Sequence, residues 1–240
     1  MYNYNFVQDV LFAKFPDKTI LMIVIGCFVC AVIGYLIGSI NFSIIISKVF
    51  YKDDIRTHGS GNAGSTNMLR THGTLSGLAT FVGDGLKTAL AVFIGAVIYN
   101  LPGAYVAGLF CIIGHIFPLY FGFKGGKGVV TVAVVMALTN IWTFLICLLI
   151  FLIVVIGTKY VSLGSVIAVL LYPLVLFKVL DVTVKEGHGY EYVGVLFAFL
   201  VAVIVTVKHR TNLKRIYNHT ESKISFKRHG TEEASEGGDE

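Results

Sequence analysis

Charged residues are scarce in this chain, and several long stretches contain none. Asp, Glu, Lys and Arg make up 14% of the 240 residues, whereas apolar residues make up 55% and the mean hydropathy is +0.78. A soluble domain carries about 25% charged residues. Uncharged runs of this length would leave too much apolar surface in contact with water. The composition therefore excludes an ordinary soluble fold and predicts an integral membrane protein.

The N-terminal segment also lacks the short basic region and the small-residue cleavage site of a secretory signal. Residues 1–19 instead hold two acidic and two basic side chains before the first apolar run: Asp9, Lys14, Asp17 and Lys18. We therefore expect the first apolar run to be retained as a membrane span.

The four cysteines all lie inside apolar runs. This setting favours small apolar residues on helices over disulfides or zinc ligands. They are Cys27, Cys30, Cys111 and Cys147. The redox spacing between the first two is therefore given no functional meaning.

Six apolar runs approach the roughly 20 residues that a transmembrane helix needs. They cover residues 20–47, 74–99, 103–121, 129–157, 161–177 and 192–207. Basic residues follow the first run, separate the third from the fourth, and follow the last, and Lys and Arg collect on the cytoplasmic side of a membrane. Six crossings would place the basic C-terminal segment outside. A polar turn at Thr139-Asn140 divides the fourth run into two crossings. The total of seven crossings then places all three basic segments on the cytoplasmic side.

The sequence thus predicts an all-α integral membrane protein with seven transmembrane helices, an outside N-terminus and a cytoplasmic C-terminus. The helix over 129–138 reaches about half of the bilayer core at about 1.5 Å per residue, so we expect it to be short or tilted. We assign residues 1–19 to an extracytoplasmic extension and residues 20–220 to the membrane domain. Residues 221–240 form a cytoplasmic tail, acidic at its end, which we expect to be largely disordered.

The first glycine loop (residues 59–67, Gly-Ser-Gly-Asn-Ala-Gly-Ser-Thr-Asn) matches the G-x-G-x-x-G pattern of dinucleotide-binding folds. That reading requires a buried strand and a βαβ unit, whereas a charged link precedes this loop and an apolar run follows it. A flexible loop is the plain alternative. The density of hydrogen-bonding side chains, flanked by Arg56 and Arg70, favours a cradle for a ligand. These side chains are Ser60, Asn62, Ser65, Thr66 and Asn67.

The second glycine loop (residues 124–128, Lys-Gly-Gly-Lys-Gly) resembles a P-loop only in part. Phe121 stands where the first Walker glycine belongs, and Gly128 replaces the hydroxyl residue. An ordinary positive turn at the membrane surface is the alternative, but three glycines add an ordering cost that such a turn does not require. An anion-binding nest followed by a helix that begins at Val129 accounts for them better.

Five other polar residues lie within or beside apolar runs. Asp84 and Lys87, three apart on one helix face, are predicted to pair and support the bundle, with substrate contact as the minor alternative. His115 is expected to bond a neighbouring helix and help to set the second loop. His209 and Asn212, three apart at the last membrane exit, either reach the same pocket or belong to a basic stop segment, and their spacing leaves both open.

Together these residues resemble the bacterial membrane glycerol-3-phosphate acyltransferases that use acyl phosphate as donor. The resemblance covers residues 31–224, and Ser65 is a small departure because the family usually has Ala there. It rests on Gly38-Ser39-Ile40-Asn41-Phe42, Gly59-Ser60-Gly61-Asn62, Thr66-Asn67, Asp84, Leu86-Lys87, Gly114-His115, Phe117-Pro118, Phe123-Lys124-Gly125-Gly126-Lys127-Gly128, Tyr160-Val161-Ser162-Leu163, His209 and Asn212.

The resemblance implies seven membrane helices in the bacterial plasma membrane and an active site at the cytoplasmic face. It implies acyl transfer from acyl phosphate to the 1-hydroxyl of sn-glycerol 3-phosphate, giving lysophosphatidic acid and phosphate in the first step of phospholipid synthesis. No metal and no cofactor are expected. The expected partners are the two substrates and membrane lipids, without nucleic acid, and protein partners stay open.

The resemblance also assigns residues to the site. The catalytic set is Ser60, Arg70, Lys127, His209 and Asn212, and the last four are expected to hold glycerol 3-phosphate. Ser60 and the backbone of 61–64 are expected to bind the acyl-phosphate head. The substrate-binding set is Gly59, Gly61, Asn62, Gly64, Asn67, Lys124, Gly125, Gly126 and Ser162. Ser162 is expected to cap a helix and face the site, with Ser165 as the alternative. Either His209 or the substrate's own phosphate takes the hydroxyl proton.

Two other functions fit parts of the sequence. An organophosphate transporter would use cationic loops, but it favours internal repeats and binding residues at mid-membrane. A scaffold for lipid enzymes would use the basic C-terminal segment to bind anionic lipid. The two glycine loops favour the enzyme over both.

Overall fold

The computed structural model of the protein describes residues 19–183 and 190–224, which are helical and contain no strand. The helices are α1 (Thr19–Gly38), α2 (Phe42–Ile46), α3 (Ser65–Ile116), α4 (Val129–Thr139), α5 (Ile141–Thr158), α6 (Val161–Thr183), α7 (Tyr190–Lys208) and α8 (Arg210–Tyr217). A single π-helical turn, Ser47–Tyr51, continues α2, and short 3-10 turns cover Ile55–Thr57 and Leu119–Phe121. The predicted extension up to residue 18 and the tail from residue 225 lie outside the described residues.

The long helix α3 is broken twice. Gly73 has φ 85°, and Tyr99 and Asn100 leave the helical region just before Pro102. Proline is tolerated in the first turn of a helix, where its missing N–H leaves no bond unmade. The breaks divide α3 into a short first segment and two longer ones, which correspond to the apolar runs predicted at 74–99 and 103–121.

The predicted division of the fourth apolar run is confirmed. Asn140 separates α4 from α5 with an extended backbone, and its side-chain oxygen accepts a hydrogen bond from the Thr143 N–H at 2.9 Å. This is the N-cap arrangement that starts a new helix. The predicted polar turn therefore ends the short helix and begins the next one.

The helices have the lengths and composition of membrane spans. Among the described residues, 4 helical stretches are long and apolar enough to cross a bilayer, and the pair α7–α8, bent by 54°, makes up to 5. α4 is a shorter apolar helix, and α3 contains two long segments within one stretch. The protein is an all-helical membrane protein. The count of seven crossings and the orientation stay predictions.

Close helix packing and one buried charge cluster fix the bundle behind the site. Gly34 and Gly38 let α1 approach α3 so closely that a Cβ on either would meet the α3 backbone. Asp84 and Lys87 pair at 2.7 Å with side chains 2% and 3% exposed. Lys87 also contacts the Ile40 carbonyl and, at 3.1 Å, Nδ1 of His115. The predicted supporting pair is confirmed, and His115 joins it.

Candidate active site

One buried side chain organises the first glycine loop. Asn67 is 2% exposed, and its Oδ1 accepts a hydrogen bond from the Ser60 N–H at 2.9 Å. Its Nδ2 donates to the carbonyls of Ile55 and His58 at 3.2 and 3.0 Å. The amide is thus used by the loop itself. Asn67 was predicted to bind substrate, and the structure instead gives it the task of holding Ser60 in place.

Two of the loop's three glycine N–H groups are also used internally. The Gly61 N–H donates to the His58 carbonyl at 2.9 Å, and the Gly64 N–H donates to the Asn62 carbonyl at 3.0 Å. Within the predicted segment 61–64, Gly61 and Gly64 therefore have no free N–H group for a phosphate, and binding by the backbone of this segment stays a prediction for Asn62 and Ala63. Gly59 and Gly61 instead supply positive φ values of 56° and 72°. Within the described ranges, the N–H groups of this loop without a protein acceptor are those of Gly59, Asn62, Ala63, Ser65 and Thr66.

Those open donors form the N-terminal turn of α3 and the residues before it. The first N–H groups of a helix have no intrahelical acceptor and favour an anion. Gly64 caps α3 without a side chain, so nothing from the cap residue covers these donors. The N–H groups that are free to meet an anion thus include those at the start of the helix and those of Asn62 and Ala63 just before it.

Arg56 connects the two loops. Its guanidinium donates to the Phe121 and Lys124 carbonyls at 2.7 and 3.1 Å. It also pairs with Asp54 at 2.7 Å, and this hydrogen-bonded guanidinium lowers the pKa of Asp54 to about 2. Arg56 is therefore neutralised and structural. Arg70, the other flanking arginine, is exposed toward the cavity and has no carboxylate partner among the described residues.

The second loop is held by its backbone. The Gly125 and Gly126 N–H groups donate to the Ile116 and His115 carbonyls, each at 3.1 Å. A Cβ on Gly125 would overlap the His115 carbonyl, and one on Gly126 would overlap the His115 ring. The glycines are needed for space. His115 sets the loop through its carbonyl and its ring, as the sequence predicted.

Lys127 lies at the centre of the polar residues that this packing brings together. Its Nζ donates to Oδ1 of Asn212 at 2.5 Å. Burial lowers the pKa of Lys127 to about 8, and the charges of Arg215, Lys208 and Arg70 act in the same direction while Glu221 opposes them. His209, just beyond α7, is 2% exposed, and its Nδ1 donates to the Val205 carbonyl at 2.8 Å.

Glu221 is the site residue that the sequence reasoning missed. Its carboxylate accepts hydrogen bonds from Asn212 Nδ2 at 2.6 Å, Ser162 Oγ at 2.7 Å and Arg215 Nε at 2.9 Å. Burial raises its pKa, but these bonds and the Arg215 charge outweigh burial, so the pKa is lowered. The segment 221–224, assigned from sequence to the tail, therefore packs against the site. The sequence feature that could have identified Glu221 is that it is the single acidic residue between Arg215 and Lys223.

Ser162 has a different local role from the one predicted. α6 begins at Val161, so Ser162 lies in its first turn, and its hydroxyl is bonded to Glu221 rather than capping the helix. Ser165, the alternative, donates to the Val161 carbonyl at 2.8 Å within α6. Both serines line the cavity described next, and only Ser162 is tied to the charged cluster.

All of these elements surround one cavity of ≈ 570 Å³. One end is polar and carries most of the predicted site: Gly59, Ser60, Asn62, Gly64, Asn67, Arg70, Lys127, Ser162, His209 and Asn212. The other end is an apolar arm between α4, α5 and α6, with lining residues that include Val132, Met136, Phe144, Cys147, Leu148, Phe151 and Val169. The cavity is thus amphipathic, and its charged lining residues are the cations Arg70, Lys127 and Arg215 and the carboxylates Asp84 and Glu221.

A second cavity of ≈ 290 Å³ adjoins the polar end and is lined in part by Gly61, Gly125 and Gly126. Lys124 lines neither cavity. Its side chain is exposed, and its carbonyl accepts from Arg56. The prediction that Lys124 binds substrate is therefore not supported by its position, because the loop turns its side chain outward.

The fold and the site together define an integral membrane protein whose cavity suits a phosphate group joined to an acyl chain. The chain matches the family model described as glycerol-3-phosphate acyltransferase over residues 28–219. It is 43% identical over 199 residues to the glycerol-3-phosphate acyltransferase of Finegoldia magna, covering 82% of this chain and 95% of that one. The Clostridioides difficile enzyme is 41% identical over 206 residues, covering 83% and 96%. The chain therefore belongs to the glycerol-3-phosphate acyltransferase family.

Solved structures agree with this membership. The fold is similar to crystal structures of PlsY (YgiH), an integral membrane glycerol 3-phosphate acyltransferase, at 30% identity. Its glycerol 3-phosphate form matches with a TM-score of 0.75, covering 83% of this chain and 96% of that one. Its lysophosphatidic acid form matches with a TM-score of 0.72. Family and fold together identify an acyltransferase of the membrane, and phospholipid synthesis follows from that activity.

Proposed function

We propose that the protein transfers a fatty acyl group from acyl phosphate to the 1-hydroxyl of sn-glycerol 3-phosphate, releasing lysophosphatidic acid and inorganic phosphate. The reaction takes place at the cytoplasmic face of the bacterial plasma membrane. The observation that supports it most is that one cavity joins a polar end, which holds Arg70 and Lys127, to an apolar arm. Forms of PlsY with glycerol 3-phosphate and with lysophosphatidic acid are consistent with the same acceptor and product.

The charges suit a reaction between two phosphorylated substrates. Arg70 and Lys127 face the cavity, and the start of α3 offers unpaired N–H groups beside Ser60. Charge-assisted hydrogen bonds to phosphate are short and strong, and they hold the reacting groups in place. We assign the start of α3 and Ser60 to the donor phosphate, and Lys127, Arg70 and Asn212 to the acceptor.

The chemistry then needs little beyond positioning. The acceptor hydroxyl oxygen forms a bond to the acyl carbonyl carbon, and the bond from that carbon to the phosphate oxygen breaks. Phosphate leaves with the bonding electron pair, and the nearby cations stabilise its charge. The acyl chain stays in the apolar arm throughout.

His209 is suited to orient the hydroxyl rather than to hold a phosphate. Because its Nδ1 donates to the Val205 carbonyl, Nε2 carries the lone pair of the neutral ring. Burial lowers the pKa of His209 to about 4, so the ring stays neutral at cellular pH and is a weak base. The hydroxyl proton is therefore assigned to a substrate phosphate oxygen, with Nε2 as the acceptor that aligns the hydroxyl.

A phosphate-release assay tests this function. Purified protein in detergent is given palmitoyl phosphate with and without glycerol 3-phosphate, and palmitoyl-CoA serves as the alternative donor. We expect phosphate release and lysophosphatidic acid only with palmitoyl phosphate and acceptor together. Turnover with palmitoyl-CoA alone as donor would contradict the proposed donor.

A matched lysine pair tests the site. Lys127→Ala is expected to lower turnover at least about 100-fold, since a charge-assisted bond to the acceptor is worth about 3 kcal/mol. Lys124→Ala, whose side chain lies outside both cavities, is expected to stay within about twofold of the wild type. Equal losses in both variants would show that general loop charge, and not Lys127, matters.

A further inference from the structure

The second cavity, ≈ 290 Å³, differs from the first in having no large apolar side chain in its lining. It lies between the two glycine loops and α8, and it shares Ser60, Asn62, Lys127 and Arg215 with the larger cavity. Its own lining adds Gly61, Gly125, Gly126, Lys208 and Thr211. A molecule in this cavity would therefore meet only glycine backbone, short polar groups and cations, while touching the reacting centre through Lys127.

One side of the α7–α8 corner supplies three of the lining residues. Lys208 ends α7, and Thr211 and Arg215, four apart, lie on one face of α8. The 54° bend between the two helices turns this face toward the loops. Arg210 and Lys214 are exposed and line neither cavity.

Lys208 is the cation that the larger cavity does not share. Its Nζ lies 4.7 Å from the ring centroid of Phe117, at the end of α3. A cation over an aromatic face is held only weakly, so the ammonium is positioned but can turn to an anion. No carboxylate pairs with Lys208 among the described residues.

The balance of charge in the second cavity favours anions. Lys127, Lys208 and Arg215 line it, and no acidic side chain does. Glu221 pairs with Arg215 but lines only the larger cavity. Clefts lined by one sign of charge raise the local concentration of the opposite ion and its rate of arrival.

We propose that the second cavity is an antechamber for water-soluble phosphates that adjoins the site of acyl transfer, with Lys208 as its steering cation. Glycerol 3-phosphate passes through it toward Lys127, and inorganic phosphate leaves by the same route. The acyl donor and the lipid product do not use it, because it offers nothing to an acyl chain. This inference rests on the proposed function and extends it to the path of the polar substrate and product.

Steady-state kinetics give the first test. Lys208→Gln is expected to raise KM for glycerol 3-phosphate about three- to tenfold, to leave kcat and the KM for palmitoyl phosphate within about twofold, and to weaken inhibition by added inorganic phosphate. It is also expected to flatten the fall of kcat/KM with increasing NaCl, since long-range steering is screened by salt. Lys214→Gln, which removes an exposed lysine of α8 that lines neither cavity, is the matched control. Its kinetic constants are expected to match those of the wild type.

Two results would overturn the proposal. One is a Lys208→Gln variant that behaves like Lys214→Gln for glycerol 3-phosphate. The other is a variant whose defect lies in the KM for palmitoyl phosphate, because that would place Lys208 on the donor's path.

A labelling experiment gives a readout that needs no turnover. Thr211→Cys is treated with an anionic, membrane-impermeant thiol reagent, and Arg210→Cys is the control on the other face. We expect inorganic phosphate and glycerol 3-phosphate each to slow labelling at residue 211 and not at 210, with wild-type protein as the blank for its four native cysteines. Protection by glycerol 3-phosphate alone would support the inward route and overturn the shared exit. Protection by neither ligand would overturn the antechamber.

The two proposals fail differently. If wild-type protein makes no lysophosphatidic acid from palmitoyl phosphate but phosphate still protects residue 211, the donor assignment fails and the anion chamber stands. If turnover is normal and protection is absent, the acyltransferase stands and the antechamber fails.

Discussion

The two glycine loops look alike in sequence but are held by different means. One side chain holds the first loop, since the Asn67 amide is bonded to the Ser60 N–H and to the carbonyls of Ile55 and His58 just before the loop. Backbone bonds hold the second, which is tied to the end of α3 through Gly125 and Gly126. In the first loop Gly61 supplies a left-handed conformation with φ 72°, whereas in the second Gly126 supplies space beside His115.

The two loops therefore use their glycines and their polar or charged residues for different purposes. Among the polar side chains of the first loop, Asn67 stabilises the loop. The loop's open anion donors include the N–H groups of Asn62 and Ala63 and those of the first turn of α3. The second loop packs against buried groups and places one cation, Lys127, beside Asn212 in the site. A glycine needed for room and a glycine needed for φ should therefore respond differently to the same substitution.

The largest effect is expected from Gly126→Ala. The added Cβ would overlap the His115 ring and the Ala63 carbonyl, and His115 cannot retreat because it is buried beside Lys87 and Asp84. We expect loss of turnover by at least about 100-fold and a lower Tm in detergent, since forced overpacking costs about 1–3 kcal/mol or more.

Gly61→Ala is the matched substitution in the first loop. The nearest atom to its Cβ would be the Arg56 carbonyl oxygen at 3.3 Å, so the cost is mainly that of the left-handed backbone, about 1–2 kcal/mol. We expect a smaller drop in Tm and measurable turnover. A Gly126→Ala variant as active as Gly61→Ala would remove the distinction between the loops.

The next largest effect is expected on the KM for glycerol 3-phosphate when rising pH removes the charge of Lys127. Burial, with help from Arg215, Lys208 and Arg70, lowers its pKa to about 8, so the ammonium is present below that pH and is lost above it. KM for glycerol 3-phosphate should therefore rise as the pH goes from 7 to 9.5, by up to about tenfold per unit above the pKa. The second pKa of a phosphate monoester, about 6, lies below this window.

Lys127→Arg separates this titration from other pH effects. A guanidinium stays charged across the whole range, so we expect the variant to show a flat KM above pH 8 even if its turnover is reduced. Parallel profiles for the wild type and Lys127→Arg would assign the pH dependence to another group.

Local patterns predicted the parts of this fold that depend on neighbours in sequence. The break at Thr139-Asn140 was predicted because an additional crossing places all the basic segments on one side of the membrane. It is marked by Asn140, which caps the next helix. The Asp84–Lys87 pair followed from three-residue spacing on one helix face. In both cases the contact joins residues three apart in sequence, so the residue types at neighbouring positions could indicate it.

Contacts between distant segments could not be read in the same way. Arg56 and Phe121 lie 65 residues apart, and Ser162 and Glu221 lie 59 apart. Nothing in the local pattern shows that Arg56 braces a loop while Arg70 faces a cavity, because both are basic residues beside a glycine run. The same limit gave Asn67 a ligand role and left Glu221 in the tail.

The smallest effect is expected where the first loop meets α3. The Asp53 carboxylate contacts Nε2 of His58 at 2.9 Å, just before Gly59, and lies 3.4 Å from Nε2 of His72. The Tyr51 ring stacks on His72 with centroids 4.0 Å apart. This cluster ties the start of the loop to the helix whose first turn is assigned to the donor phosphate.

Asp53→Ala removes that tie and leaves the Asn67 bonds in place. Because one hydrogen bond contributes about 1 kcal/mol net, we expect the KM for palmitoyl phosphate to rise about fivefold, with the KM for glycerol 3-phosphate unchanged. Asp181→Ala, which removes an exposed carboxylate paired with Lys178 at the far end of α6, is the control and should leave both constants as they are. Equal changes in the two KM values would mean that Asp53 supports the whole site and not the first loop alone. Stabilisation by side chains would then no longer distinguish the first glycine loop from the second.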